Sequence, residues 1–298
     1  MQKEDLHLSI LIPTYNHVCL DLVGDLCRQA SRVPQLSYEV LVADDGSTMP
    51  ETVAANRLVE KNAYCRYLVR KENKGRSAIR NFLAREAQYE LLLFIDSHMS
   101  VIRPDFLACY LSFRSHPLVY GGYAVSPNAR QKNNLRYRYE LSCVAAQDVA
   151  RRSASPYSNF HTSNFMIHRH VMLSHPLDER FKRYGYEDVL YGKQLKQAGI
   201  AIIHIDNPVG FDHFETNERF VEKTAEGLRT LHEFREELRG YSRMLSLCDR
   251  LGDCHLTMPL KMLHACTAPL LKRNLQGSHP SLFLFKVFRL AYYFSLSE

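Results

Sequence analysis

Residues 91–98 read LLLFIDSH, five apolar residues followed by an acid, a hydroxyl and an imidazole. A short, wholly apolar run is typical of a β-strand that is buried on both faces. The strand should end at Asp96, because a carboxylate is seldom buried without a partner. The stretch therefore predicts a central strand that carries Asp96, Ser97 and His98 to one edge of a sheet.

Three further apolar runs precede this strand, and helical patterns separate all four. Such alternation predicts an α/β fold, with a parallel sheet covered by helices on both faces. Right-handed crossovers place the carboxyl ends of all these strands at one edge, where ligands bind. The predicted strands are 8–12, 39–43, 65–70 and 91–95, and the predicted helices are 18–30, 50–61 and 75–87.

Polar clusters follow three of the strands, at residues 13–16, 44–47 and 96–98. Two of them have a simpler explanation when taken alone, since Asp-Asp-Gly-Ser is a common β-turn and an isolated D-x-H is usually a polar strand cap. Their shared position at strand carboxyl ends favours a common binding crevice instead.

Asp96 and His98 are candidate metal ligands. Oxygen and nitrogen ligands together suit Mn²⁺ and similar ions better than Ca²⁺, and such an ion can neutralise a departing diphosphate. Two side chains leave the coordination incomplete, and His213 is the candidate third ligand because it follows a predicted strand at 200–205. The sequence thus predicts a divalent-cation site, with Mn²⁺ favoured and Mg²⁺ as the alternative.

Glu187 and Asp188 open a predicted helix at 187–198. The helix dipole favours acids in the first turn, so capping alone could explain the pair. A carboxylate at a helix start is also ionised and fixed in place, as a general base for an acceptor hydroxyl must be. Both explanations stay open here, as does the choice between Glu187 and Asp188.

Four segments occur in a fixed order: ILIPTYN at 10–16, VADDGS at 42–47, NKGRSAIRN at 73–81 and FKRYGYED at 181–188. In order and spacing they resemble the family-two inverting glycosyltransferases, which have the GT-A fold, and the last looks like that family's GyED segment. The resemblance covers residues 7–215. It implies a nucleotide-sugar donor, and a role in building bacterial surface glycans.

The resemblance implies a donor pocket from the matching residues. Pro13, Thr14 and Tyr15 follow the first strand and would meet the nucleotide base and ribose together with Asp45. Arg80, in the third segment, would line the same pocket. These five residues are the candidate nucleoside-binding set.

The resemblance also implies roles for the remaining residues. Asp96 and His98, with Ser97 between them, occupy the D-x-D position where metal and diphosphate meet. Asp188 matches the usual catalytic base, with Glu187 beside it on the acceptor side. His98 departs from the usual second Asp, and the D-S-H form resembles the polypeptide N-acetylgalactosaminyltransferases, which carry a further His on manganese. This likeness implies a UDP-sugar.

We predict a GT-A catalytic domain over 1–216, with a nucleotide-binding half at 1–100 and an acceptor half at 101–216, and a helical C-terminal extension at 217–298. The chain has no Trp, so the Q-x-x-R-W motif of processive members is absent. Transfer of one sugar to a glycan or lipid-linked acceptor is favoured.

Two other functions are compatible with such a sheet. A sugar-nucleotide pyrophosphorylase needs a glycine-rich loop after the first strand, where this chain reads PTYNH. A non-catalytic nucleotide-sugar or glycan-binding protein would have no need of the intact Glu187 and Asp188 pair. The sequence therefore favours the transferase over both.

Composition and termini bear on location. The formal charge of +6 is too small to indicate nucleic acid, and the eight cysteines include no C-x-x-C pair, as in free thiols of a reducing compartment. Residues 1–8 are too polar for a signal peptide, and no apolar run is long enough to span a membrane. We expect a cytoplasmic protein.

The C-terminal segment at 281–294 reads SLFLFKVFRLAYYF. On a helix, Lys286 and Arg289 share one edge, which predicts an interfacial helix whose basic residues face anionic headgroups. The protein would then lie at the inner face of the cell membrane. The alternative is a terminal helix packed on the catalytic domain.

Overall fold

The computed structural model describes residues 5–296, and most elements lie where the apolar patterns predict them. The prediction that residues 1–8 are not a signal peptide concerns a segment of which only residues 5–8 are described. The strands are β1 Leu6–Thr14, β2 Leu36–Asp44, β3 Cys65–Val69, β4 Leu91–Ile95, β5 Met99–Val101, β6 Leu118–Tyr120, β7 Tyr123–Ala124, β8 Asn164–His168, β9 Ile202–His204 and β10 Val209–Phe211. The helices are α1 Leu20–Ala30, α2 Pro50–Asn56, α3 Arg76–Glu86, α4 Phe106–Ser112, α5 Leu135–Cys143, α6 Val149–Ser153, α7 Arg169–Ser174, α8 Glu187–Gln197, α9 Asn217–Glu233, α10 Arg235–Leu238, α11 Arg243–Asp253, α12 Thr257–Gln276 and α13 Leu282–Ser295.

Seven strands form the main sheet in the order β3-β2-β1-β4-β8-β6-β9. β1 to β4 are parallel, which confirms the predicted α/β sheet, and β8 runs antiparallel to β4. β4 is hydrogen-bonded on both sides and every residue in it is buried, because helices cover both faces of the sheet. This is why residues 91–95 are wholly apolar.

The ends of the central strands are aligned by register. β1 and β2 pair from Leu6 with Leu36 to Thr14 with Asp44, so both strands end at the same level. Leu11, Leu92 and Phe94 pack in one buried cluster with Leu83 of α3. The loops after β1 and β2 therefore begin at one level, while β4 ends one residue after the pair of Phe94 with Leu11, slightly before the end of β1.

A second sheet has three short strands in the order β5-β10-β7. β5 and β10 are antiparallel, with Met99 opposite Phe211. Neither of these strands was predicted from the sequence. Their pairing brings His98, which precedes Met99, close to His213, which follows Phe211 by two residues.

The chain divides into two compact units that differ from the predicted domains. The first comprises the residues up to Ala124 with Gln147–Lys182 and Tyr191–His213, and the second comprises Val125–Ala146, Arg183–Leu190 and the chain from Phe214 on. The predicted domain boundary at residue 216 lies close to Phe214, where the chain enters the second unit for the last time. α5 joins the second unit because Leu135 packs with Phe220 and Phe285 in one buried cluster.

The C-terminal helix α13 packs against α5, α9 and α12 within the second unit. Phe285 and Phe288 are buried, and the Arg289 guanidinium lies over the Tyr139 ring at 5.8 Å. Of the two basic residues predicted to share one edge, Lys286 is exposed and Arg289 is half-buried against Tyr139. No helix in the described range 5–296 is both long and apolar enough to cross a membrane.

Candidate functional site

The loops after β1 and β2 are cross-linked by hydrogen bonds. The Asp45 N–H donates to the Thr14 carbonyl at 2.9 Å. The Asn16 N–H donates to Ser47 Oγ at 2.7 Å, and Asn16 Oδ1 accepts from the Thr48 N–H at 2.8 Å. Asn16 adopts a positive φ of 50°, which asparagine tolerates better than most residues. These bonds fix the first two polar clusters relative to each other.

The residues predicted to meet the nucleoside differ in exposure. Pro13 and Thr14 are buried, and Thr14 Oγ1 donates to the His17 carbonyl at 2.8 Å. Tyr15 is 45% exposed. Pro13 and Thr14 therefore shape the loop, while the Tyr15 side chain is the one accessible to a ligand.

Asp45 ties a third loop to the first two. Its carboxylate accepts from the N–H groups of Gly75 at 2.9 Å and Lys74 at 3.2 Å, and Arg70 lies at 3.1 Å. Burial raises the Asp45 pKa, although these partners oppose the shift. Asp44 is fully buried and accepts hydrogen bonds within the protein. Of the two acids, Asp45 is therefore the one that borders the loop crevice.

Gly46 permits a close approach between two of these loops. Its φ is +71°, and a Cβ there would lie 2.6 Å from the Glu72 carbonyl carbon and 2.7 Å from the Asn73 nitrogen. A side chain would push away the loop that carries Lys74 and Gly75. Glycine at this position is thus required by both conformation and space.

Arg80 and Asp96 form a buried ion pair. Arg80 of α3 is 2% exposed, and its guanidinium donates to Asp96 Oδ1 and to the Arg76 carbonyl. The Asp96 N–H donates to the Ser163 carbonyl at 3.0 Å, which fixes the residue after β4. Burial alone would raise the Asp96 pKa, but Arg80 and His98 lower it below its ordinary value. Asp96 is therefore an ionised, oriented carboxylate.

Three histidines lie close to one another in the loops at the strand ends, and one of them, His98, follows Asp96 by two residues. The His17 ring centroid is 5.0 Å from that of His213 and 6.4 Å from that of His98. His98 precedes β5 and His213 follows β10, so the antiparallel pairing of these strands accounts for their approach. The predicted residues His98 and His213 thus both lie beside His17.

His17 is a site residue that the sequence reasoning missed, although it directly follows the PTYN segment. Its Nδ1 is buried and has no hydrogen-bond partner within residues 5–296. Burial and the neighbouring His213 lower its pKa, while a hydrogen bond to the Ser97 backbone opposes the shift. The ring is therefore neutral at pH 7, with a nitrogen lone pair available to a cation.

The predicted metal ligands are not gathered as closely as a second set of side chains. In the part of the chain that the structure describes, the one group of three ligand atoms within 4.8 Å of one another belongs to Glu90, His168 and His170. These residues lie at the other end of β4. The assignment of Asp96, His98 and His213 to a metal stays a prediction.

Glu187 and Asp188 begin α8 in the second unit. Gly185 and Tyr186 precede them with φ values of 97° and 69°, and the Tyr184 N–H donates to Glu226 Oε1 at 3.1 Å. This anchored left-handed turn sets the direction of the helix start. Glu187 is 4% exposed, whereas Asp188 is half-buried, so Asp188 is the more accessible carboxylate.

Comparison with known proteins gives a family match. Residues 9–174, more than half of the chain, match the family described as Glycosyl transferase family 2. A chondroitin synthase of Pasteurella multocida is 24% identical over 244 residues, which cover 70% of this chain and 25% of that protein. An uncharacterized glycosyltransferase of Haemophilus influenzae is 31% identical over 121 residues, 39% of this chain and 47% of that protein. The chain thus spans less than half of either relative.

Solved structures share the fold. The mannosyltransferase PcManGT from Pyrobaculum calidifontis, in complex with GDP-Man and Mn²⁺, has a TM-score of 0.57 at 15% identity, over 97% of this chain and 84% of that one. TarS 1-349 of S. aureus in complex with UDP has a TM-score of 0.51 at 14% identity, over 97% and 88%. These likenesses confirm the predicted fold class.

Proposed function

Because this chain belongs to glycosyl transferase family 2, we propose that it is an inverting enzyme that moves one sugar from a UDP-sugar to a hydroxyl of a glycan or lipid-linked acceptor. It is a glycosyltransferase that uses a nucleotide-sugar donor. The observation that carries the finer proposal is the group of Arg80, Asp96 and three histidines at the strand carboxyl ends. That edge is where ligands bind to sheets of this kind.

The donor contacts follow from the fixed loops. Tyr15 offers an exposed ring to the base, and Asp45 borders the pocket from β2 with capacity to accept a further bond. Arg80 keeps Asp96 ionised at the position of the diphosphate. A UDP donor is supported by TarS, which was also solved with UDP-GlcNAc.

A divalent cation, Mn²⁺ in this proposal, would be held by Asp96, His98 and His213, and we add His17 to this set. The unpartnered buried Nδ1 of His17 fits such an ion, because a neutral imidazole nitrogen is a common metal ligand. When bound, the ion would neutralise the charge of the departing diphosphate. The Mn²⁺ in the PcManGT complex supports this assignment.

Asp188 is the proposed general base. It takes the proton from the acceptor hydroxyl, which attacks the anomeric carbon from the face opposite the nucleotide and inverts the configuration. Asp188→Asn should retain UDP binding and lower turnover by roughly 10²–10⁴-fold. Glu187→Gln serves as the matched variant, and equal losses in both would show that the assignment to Asp188 alone is wrong.

Calorimetry with UDP tests the proposed site. We expect UDP to bind in the presence of Mn²⁺ and to bind much more weakly in EDTA, with the metal-dependent part lost in His98→Ala. His116→Ala, outside the cluster, is the matched control. UDP binding that is equal with Mn²⁺ and with EDTA would contradict the metal-dependent proposal.

A panel of UDP-sugars then separates the enzyme from a non-catalytic binding protein. Slow, metal-dependent release of UDP from one sugar donor supports transfer and names the sugar. UDP binding without release from any donor, with or without simple glycan acceptors, would favour the binding protein.

We further propose that the second unit docks on an anionic membrane surface through α12 together with the exposed Phe283 and Lys286 of α13. Residues 254–297 contain no acid, and Lys272 and Arg273 of α12 are exposed. Apolar side chains exposed beside basic residues favour an interfacial helix. The exposed apolar side chains of α12 include Met258 (65%), Met262 (61%) and Leu270 (68%).

Vesicle flotation tests this docking. The protein should bind vesicles that contain phosphatidylglycerol and should not bind pure phosphatidylcholine. Met262→Glu with Leu270→Glu should abolish binding, while Leu173→Glu, an exposed position in α7, should not. With this docking we propose a cytoplasmic location at the inner face of the membrane. The eight cysteines, all free thiols, support a reducing compartment.

A further inference from the structure

A second cluster of metal-ligating side chains lies at the amino end of β4. Glu90 directly precedes β4, His168 ends β8, and His170 lies in the first turn of α7. Their ligand atoms all lie within 4.8 Å of one another. Asp96 follows the other end of β4, about 20 Å away along an extended strand. The cluster is therefore separate from the donor site.

The backbone holds the three residues in place. β4 and β8 are antiparallel neighbours, with Leu91 opposite His168. The Arg169 N–H donates to the Glu90 carbonyl at 2.7 Å, and the His170 N–H donates to Glu90 Oε1 at 3.1 Å. The side chains are thus mounted on a paired strand end and do not depend on a mobile loop.

His168 has a defined tautomer. Its Nε2 lies 2.8 Å from the Arg114 carbonyl oxygen, and because a carbonyl only accepts, Nε2 carries the proton. In the neutral ring the lone pair is then on Nδ1, which lies 3.9 Å from Glu90 Oε1. Metal-ligating histidines almost always donate their other N–H to a carbonyl or carboxylate in this way.

A simple ion pair explains only part of the cluster. His170 Nδ1 lies 2.5 Å from Glu90 Oε1, as expected of a proton shared between them. That pair leaves the His168 lone pair facing the same carboxylate oxygen. A cation placed between the three groups satisfies both imidazoles and the carboxylate at once.

We propose that Glu90, His168 and His170 bind a divalent transition-metal ion of the zinc class. Two imidazole nitrogens and one carboxylate oxygen suit Zn²⁺, Co²⁺ or Ni²⁺ better than Mg²⁺ or Ca²⁺. The Glu90 and His170 side chains are 54% and 69% exposed. The ion therefore enters from solvent, and water completes its coordination.

Zinc titration of the full-length protein tests the site. The starting variant is His17→Ala with His98→Ala and His213→Ala, so that the donor-site histidines do not contribute. After removal of metal with EDTA, we expect one equivalent of Zn²⁺ by calorimetry and a tetrahedral Co²⁺ absorption band. Adding His170→Ala should abolish both, and adding His279→Ala, an exposed histidine of the second unit, should leave both unchanged.

Two outcomes would overturn the proposal: no zinc binding in the starting variant, or zinc binding that survives His170→Ala. Glu90→Gln provides a second variant, which should weaken binding while retaining the native circular dichroism spectrum. His170→Ala alone should keep Mn²⁺-dependent UDP binding. The zinc site and the donor site can therefore fail independently.

Discussion

β4 carries a charged cluster at each end, and the two clusters differ in burial. At its carboxyl end Arg80 and Asp96 pair with side-chain exposures of 2% and 11%, whereas at its amino end Glu90 and His170 pair with exposures of 54% and 69%. Water screens the second pair and screens the first far less. The same kind of contact should therefore be indispensable at one end of a strand and dispensable for stability at the other.

The largest effect is expected from Arg80→Met. The variant leaves the Asp96 carboxylate buried without its partner, which should lower the free energy of unfolding by about 3–5 kcal/mol. Urea unfolding at pH 7 measures the loss. Arg28→Met, which breaks the exposed pair with Asp25, should cost about 0–1 kcal/mol. Arg80→Met with Asp96→Asn should recover part of the stability, and no recovery would show that the loss is one of packing.

Buried and exposed histidines extend the comparison. His204 is 7% exposed; its Nδ1 accepts from Arg152 at 3.1 Å and its Nε2 donates to the Pro156 carbonyl at 2.9 Å. Only the neutral ring can make both bonds, and burial lowers its pKa to about 4. In the unfolded chain the imidazole has its ordinary pKa of about 6.5, so it takes up a proton below that pH.

Stability should therefore fall as the pH drops from about 6.5 to 4, by up to about 3 kcal/mol from this one group. Urea unfolding at pH 7, 5 and 4 measures the slope. His204→Gln should show a shallower slope than the wild type, whereas His279→Gln, at an exposed position of the second unit, should keep the wild-type slope. Equal slopes for His204→Gln and the wild type would contradict the assignment.

Two glycine substitutions, with smaller expected effects, separate the cost of a steric clash from the cost of a left-handed backbone conformation. Gly46 and Gly199 have nearly equal φ values of +71° and +70°, but a Cβ meets backbone at Gly46 and nothing within 4 Å at Gly199. Gly199→Ala should cost about 1–2 kcal/mol for the left-handed conformation. Gly46→Ala should cost a further 1–3 kcal/mol or so for the clash. Equal melting temperatures for the two variants would show that the loop at Glu72 moves aside at no cost in stability.

The smallest effect is expected at the exposed end of β4. Glu90→Gln removes a solvent-screened partner of His170, and should change the free energy of unfolding by about 0–1 kcal/mol at pH 7 without metal. Denaturant titration in EDTA checks this. A loss comparable to that of Arg80→Met would invalidate the contrast between the two ends.

The carboxyl edge of the sheet could be predicted because its signals are local. Residues 91–95 form a strand at the predicted bounds, since an apolar run flanked by polar residues needs no distant information. Because β1, β2 and β4 are parallel, the polar clusters that follow them lie at the same edge of the sheet. His17 was also within reach, as it stands in the loop after β1.

Other features depend on contacts between distant residues. β5 and β10 have three residues each, too few for a periodic pattern, and only their pairing brings His213 near His98. The aromatic surroundings that draw Arg289 toward Tyr139 likewise come from helices far apart in sequence. A helical pattern reports that a helix forms, and not which neighbour will cover it.

The interleaving of the two units has a consequence for how the protein is made. The chain enters the second unit at Val125, again at Arg183 and finally at Phe214. On the ribosome, α5 therefore emerges well before Phe220 and Phe285, which cover Leu135. Prematurely terminated products would leave that apolar surface open to proteases and chaperones. For the same reason, a chimera with a relative has to exchange three separate gene segments to transplant the second unit intact.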